Sequence, residues 1–142
     1  MRFCVDYRQL TEKTVKDAYP LPRIDVCLDA LAEASWFSTF DFRSGYHQVE
    51  MDPRDADKTT FATRRGTHRF KVMPFGVCNA PATFQRSMAG LNLEVCLVYP
   101  DDIIVHSVDL KSHLLRLQRL LERLVVAGLK LKVFKCRLFQ RK

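Results

Sequence analysis

Apolar residues recur along this chain at two periods, and the alternation between them lays out the elements. Phe3-Cys4-Val5 reads as a strand. Tyr19-Pro20-Leu21-Pro22 reads as extended chain, because each proline biases the residue before it toward β or polyproline geometry. Pro22 then opens a helix over 23–33, in which Ile24, Cys27, Leu28 and Leu31 share one face. Trp36 to Phe42 is short and aromatic, the pattern of a buried strand. Lys58 to Thr63 and His68 to Val72 flank Arg64-Arg65-Gly66-Thr67, which predicts a hairpin. Residues 82–91 read as a helix that starts just past Pro81. Val95 to Val98 and Ile103 to Val105 are apolar runs on either side of Tyr-Pro-Asp-Asp, a second hairpin with a tight turn. The clearest helix follows over 109–127. Leu110, Leu114, Leu117, Leu121 and Leu124 make its apolar stripe, Asp109 or Ser107 can cap its start, and Gly128 can end it. The order strand, helix, strand, hairpin, helix, hairpin, helix predicts an α+β fold, with the helices on one face of a sheet. The leucine stripe is expected to be its most buried helical face.

Composition narrows this picture. A hydrophobic fraction of 47% and a charged fraction of 27% in 142 residues belong to one globular domain, not to a disordered chain. No run approaches the roughly 18 apolar residues of a membrane helix, and the N-terminus turns polar too early for a signal peptide. The cysteines at 4, 27, 78, 96 and 136 are odd in number and form no CxxC pair, which excludes a zinc knuckle and argues against a disulfide framework. They read as reduced, half-buried thiols of an intracellular protein. The net charge of +7 is unevenly placed. Residues 1–110 hold 13 basic and 15 acidic side chains, whereas residues 111–142 hold 10 basic and one acidic. A near-neutral body with a basic end suits contact with a polyanion, and equally a solvated basic helix face.

Candidate chemistry rests on carboxylates. Asp101 and Asp102 are adjacent at the predicted turn, and Asp41 sits among Phe37, Phe40 and Phe42. A buried aspartate is costly without a cation, metal or donor beside it. Asp-Asp is also common in turns for conformational reasons alone. Where three such carboxylates meet, they can hold two hard cations roughly 4 Å apart, the clamp used for in-line phosphoryl displacement.

Six motifs in fixed order make the reading specific. They are Arg2-Phe3-Cys4-Val5-Asp6-Tyr7-Arg8-Gln9-Leu10, Tyr19-Pro20-Leu21-Pro22-Arg23-Ile24, Phe37 through Val49 around Asp41, Lys58-Thr59-Thr60-Phe61, Phe70 through Gln85 around Met73-Pro74-Phe75-Gly76, and Val98-Tyr99-Pro100-Asp101-Asp102-Ile103-Ile104. Together they resemble the reverse transcriptases of retroelements, most of all those of gypsy-type long-terminal-repeat retrotransposons. The resemblance runs nearly end to end. It implies a polymerase palm with a remnant of the fingers, 1–35 and 52–80 being fingers-like and 36–51 and 81–142 palm-like. The implied function is RNA-directed DNA synthesis: nucleotidyl transfer onto a primer 3′-hydroxyl with two Mg²⁺ ions, for which Mn²⁺ can substitute. By position, Asp41, Asp101 and Asp102 match the catalytic, metal-binding aspartates. Tyr46 matches the aromatic gate that would clash with a ribose 2′-hydroxyl of the incoming nucleotide. Arg2 matches a fingers arginine on the triphosphate, and Phe75 and Gly76 match the nucleotide pocket. Gln85, Arg86, Tyr99 and Pro100 match positions near template and primer. The implied partners are an RNA or DNA template with its primer, deoxynucleoside triphosphates, and the rest of a Pol polyprotein with its thumb, ribonuclease H and integrase; no membrane is implied. The compartment, a cytoplasmic particle or the nucleus, stays open.

Three features depart from the family pattern. Pro100 fills the variable position of the Y-x-D-D turn, where an aliphatic residue is usual. Met88 to Tyr99 is shorter than the pattern by about four residues, which in a helix would remove about 6 Å. The strand pattern begins at the third residue and the chain stops soon after Phe139, so a truncated, inactive copy lacking the thumb is the expectation. The competing reading is a nucleic-acid-binding remnant without catalysis, using the basic segment 111–142.

Overall fold

A computed structural model describes residues 4–20, 24–89, 96–99 and 102–142. The chain divides into two compact units, one from residues 1–19 and 44–84, the other from 20–43 and 85–142.

The first unit is held by local capping and aromatic packing. Helix α1, Arg8–Lys13, was not legible in the apolar pattern, since none of its residues is buried. Just before it Tyr7 is buried, and its hydroxyl donates to the Thr59 carbonyl at 2.9 Å. The strand expected at Phe3-Cys4-Val5 is not present at Cys4 and Val5, and Phe3 lies outside the described residues. Val5 runs past Gly76 instead of along a partner strand: a Cβ at Gly76 would sit 3.6 Å from the Val5 carbonyl oxygen. Asn79 ties the chain after α1, accepting from the Asp17 N–H at 3.0 Å and donating to the Val15 carbonyl at 2.8 Å. The short helix over 53–56 is capped by Asp52, whose carboxyl the Arg54 side chain and N–H hold down at about 2. The predicted hairpin forms as β2, Phe61–Thr63, and β3, Gly66–His68. It is shorter than expected because residues 57–59 close a 3₁₀ turn and Thr59 is buried.

The second unit is a four-stranded antiparallel sheet with a helix on one face. Its described strands are Trp36–Asp41, Cys96–Tyr99, Asp102–Ser107 and Arg137–Arg141. Numbered along the described residues they are β1, β4, β5 and β6, and they lie in the order β4-β5-β1-β6. Period-2 burial sets the faces. Ser38 and Phe40 of β1 are buried with Ile103, Val105 and Ser107 of β5. Packed on that face is α5, Leu110–Val126. The helices α2, Ile24–Ala32, and α4, Ala80–Ala89, are present, and α3 is the short helix over 53–56. The strand β6 was not foreseen. Its burial pattern is wholly exposed, so its residues carry no period-2 signal.

The leucine stripe needs correction. Leu117 and Leu124 are buried, but Leu110, Leu114 and Leu121 are 43%, 50% and 44% exposed. The buried face runs through His113, Leu117, Leu120 and Leu124. Leucine occurs so often on α5 that several stripes at helical spacing are available. A buried polar pair picks the one that faces the sheet. His113 is fully buried, with Nε2 2.8 Å from Ser38 Oγ and Nδ1 2.8 Å from Ser107 Oγ. The Ser107 hydroxyl donates to the Asp109 carbonyl, so it accepts from Nδ1–H; Ser38 accepts from the Phe139 N–H and donates to Nε2. A neutral ring with its proton on Nδ1 satisfies every group in this chain of bonds, which links β6, β1, α5 and β5. The helix begins at Asp109, which accepts from the Ser112 N–H and hydroxyl, and ends at Gly128 with φ 67° in a Schellman turn. The displaced leucines Leu114 and Leu121 line a groove of about 680 Å³ with Phe40, Val125, Leu138 and Phe139.

All five cysteines are free thiols; four are half-buried and Cys4 is exposed. Burial pushes the Cys96 thiol up to about 12, so it stays protonated. No helix among the described residues is long and apolar enough to cross a membrane.

Candidate active site

Asp41 ends β1 and Asp102 begins β5, and the two are direct partners across the antiparallel ladder. Directly opposed residues project to the same side, so both carboxylates leave the sheet on one face. That face is opposite α5, because the alternate positions, Phe40 and Ile103, are the buried ones. The positions 61 residues apart in sequence thus meet through strand pairing alone. Asp102 is exposed and the Asp41 side chain is 25% exposed. They line a cleft of about 310 Å³ with Thr39, Phe40, Phe134, Lys135 and Arg137. Carboxylate oxygens are the donors that hard divalent cations take, so this pair fits Mg²⁺ by its chemistry. Among the described residues no group of three or more His, Cys, Asp or Glu side chains could hold a metal ion. Asp101, adjacent to Asp102, lies outside them, as do Pro100 and Arg2.

The cleft also contains a cation that the sequence did not single out. Lys135 Nζ donates to Asp41 Oδ2 at 2.9 Å. Its position is fixed by the backbone. The Arg43 N–H donates to the Lys130 carbonyl, and the Lys132 N–H donates to the Asp41 carbonyl at 2.8 Å. Phe42 and Leu131 form an antiparallel bridge between them, and a 3₁₀ turn at Val133–Lys135 follows. Nothing in the sequence marks Lys135 among the ten basic residues after Leu110; only the clip to the end of β1 selects it. Tyr99, in β4, is the register partner of Asp102.

In the first unit, Tyr46 lies in a 3₁₀ turn, Gly45–Gln48, entered through Ser44 at φ 55°. Its ring meets Phe75 at 5.4 Å and Phe84 at 5.5 Å between centroids. The His47 ring packs at a tilt against Phe75, 4.8 Å between centroids, and borders Phe70, so Tyr46, His47 and Phe75 form one aromatic cluster. Gly76 follows at φ 89°, a conformation that favours glycine. The structure therefore brings Tyr46 and Phe75 together, with Gly76 next in the chain. On the helix Ala80–Ala89, Gln85 is buried and its Oε1 accepts no hydrogen bond among the described residues, whereas Arg86 is exposed.

The family model for reverse transcriptase (RNA-dependent DNA polymerase) matches residues 1–142. The chain belongs to the reverse transcriptase family. It is 44% identical over 139 residues, 95% of its length, to the retrovirus-related Pol polyprotein from transposon 297 of Drosophila melanogaster. It is 36% identical over 143 residues, 98% of its length, to the Pol polyprotein from transposon gypsy of the same species. The chain spans 13% and 14% of those two relatives. A solved foamy viral protease–reverse transcriptase in complex with double-stranded DNA superposes with a TM-score of 0.90 at 24% identity, covering 99% of this chain and 25% of that one. Both the gypsy-type membership and the α+β polymerase fold expected from the motifs are borne out.

Proposed function

We propose that this domain is the catalytic core of a retroelement RNA-directed DNA polymerase, in which Asp41 and Asp102, together with Asp101, the residue before Asp102 in sequence, hold two Mg²⁺ ions. The observation that carries the reading is the direct opposition of Asp41 and Asp102 at the ends of β1 and β5. When bound there, Mg²⁺ supplies charge neutralisation for in-line attack of a primer 3′-hydroxyl on a deoxynucleoside triphosphate. Asp41 sits on a strand whose buried face is anchored through Ser38 and Phe40, so its carboxylate is held rigidly. Rigid placement matters because a misplacement of about 1 Å can cost roughly 10²-fold in rate. Tyr46, backed by Phe75 and Phe84, would present a fixed ring to the sugar and reject a 2′-hydroxyl. Arg2, Phe75 and Gly76 complete the nucleotide contacts in this reading, and Arg86, Gln85, Tyr99 and Pro100 those to template and primer. In this reading residues 1–35 and 52–80 are the fingers-like portions and 36–51 and 81–142 the palm-like portions. Double-stranded DNA bound by the foamy viral relative supports a template–primer as the partner, and the Pol names of the transposon relatives support a larger polyprotein around it.

A second reading, a nucleic-acid-binding remnant without catalysis, is favoured by Pro100 in the Y-x-D-D turn and by the basic segment 111–142. One experiment separates the two: residues 36–142 replace their counterpart in an active related enzyme, carrying Pro100→Leu, and primer extension is measured. The polymerase reading expects activity that Asp41→Asn or Asp102→Asn lowers by about 10³-fold or more. Extension that survives both changes overturns it.

A further inference from the structure

Asp41 and Asp102 are like charges on one face of neighbouring strands, and Asp101 is the next residue in sequence. Like charges at such spacing repel, so the ligand-free cleft needs a counter-ion. The chain supplies one. Three features place Lys135 at Asp41: the Lys132 N–H to Asp41 carbonyl bond of 2.8 Å, the Phe42–Leu131 bridge, and the 3₁₀ turn closed by the Lys135 N–H to Lys132 carbonyl bond of 2.9 Å. The ammonium then reaches Asp41 Oδ2 at 2.9 Å while its own side chain stays 56% exposed. The backbone anchor is therefore fixed, and the side chain that carries the charge lies at the surface. A divalent cation takes carboxylate oxygens directly, and the positive ammonium beside Asp41 opposes its approach.

We propose that Lys135 is the built-in counter-ion of this carboxylate site and competes with a divalent cation for Asp41, so that Lys135 raises the concentration at which the site loads. The inference rests on the reading of Asp41 and Asp102 as cation ligands. It makes Lys135 a positioning and gating residue, not a ligand.

The test is a Mn²⁺ titration of the full 142-residue chain, following free Mn²⁺ by electron paramagnetic resonance, with folding of each variant checked by circular dichroism. Lys135→Met removes the competitor and is expected to tighten Mn²⁺ binding roughly three- to fivefold, the range a partly exposed ion pair supports. Lys135→Arg, which keeps the charge, is expected to stay near wild type. Lys111→Met removes a charge at the far end of α5 and is expected to change nothing. Unchanged or weaker binding in Lys135→Met, or equal tightening in Lys111→Met, overturns the proposal. Asp41→Asn separates the two levels. If it abolishes binding while Lys135→Met has no effect, only the counter-ion role fails. If Asp41→Asn leaves Mn²⁺ binding intact, the cation-site reading fails and the counter-ion role falls with it.

Discussion

His113 is a polar ring with no exposed surface, and the geometry around it dictates its charge. Each ring nitrogen has one serine hydroxyl, and the donors in the chain from Phe139 to Asp109 are all used only when the ring is neutral. Burial, helped by the nearby Arg116 and His106 charges, lowers its pKa below the usual 6.5. The unfolded chain therefore binds a proton at a pH where the folded chain does not. Stability is full above about 6.5 and falls as the pH drops toward the lowered folded value. Urea unfolding between pH 8 and 5 should show this loss, and His113→Leu should remove most of the slope. His113→Ala should cost about 2–4 kcal/mol, since it leaves a cavity and orphans two buried hydroxyls. A cost near zero would mean that the ring is a bystander. Asp41 was legible because an aspartate among phenylalanines demands a partner. His113 was not, because a lone histidine in a leucine-rich helix carries no period, and its partners lie 75 and 6 residues away. Lys135 was hidden for a related reason: its meaning lies in a backbone clip between distant segments.

At the level of elements, alternation and capping residues located β1, β5, α5 and the two hairpins to within a few residues. Strong period-2 burial and the Asp109 and Gly128 signals account for that success. Two of the elements that escaped, α1 and β6, bury nothing, and the helix over 53–56 buries only Ala56. The burial face of α5 escaped too, because leucines exceed what one face can bury. Pro100 and Asp101 of the Y-x-D-D motif fall in the chain between Tyr99 of β4 and Asp102 of β5. In the family this turn resembles type II′, with φ > 0 at its second residue. Proline locks φ near −65°, which costs on the order of 3 kcal/mol in an incompatible site. Pro100 is therefore expected to disable catalysis even in a full-length enzyme. Primer extension by the active chimera should be restored by Pro100→Leu and nearly absent with proline; equal rates would remove the turn from the account.

On the scale of the whole molecule, the basic residues crowd into 111–142 while the carboxylates of the cleft stand at the opposed ends of β1 and β5. Two of those basic residues, Lys135 and Arg137, line the cleft itself, so the segment that would grip a polyanion reaches the carboxylates that would work on it. The intact parent should bind template–primer with an affinity that falls by at least about tenfold between roughly 50 and 200 mM salt, as counterion release requires. Salt-independent affinity would make the charge irrelevant to binding. The central claim is that Asp41 and Asp102 form one cation site. Anomalous diffraction from crystals grown in Mn²⁺ tests it most directly. The account predicts a manganese peak between the two carboxylates, with the Lys135 ammonium moved off Asp41, and its disappearance in Asp41→Asn. A peak located elsewhere, or one between the strands that persists in Asp41→Asn, would contradict it.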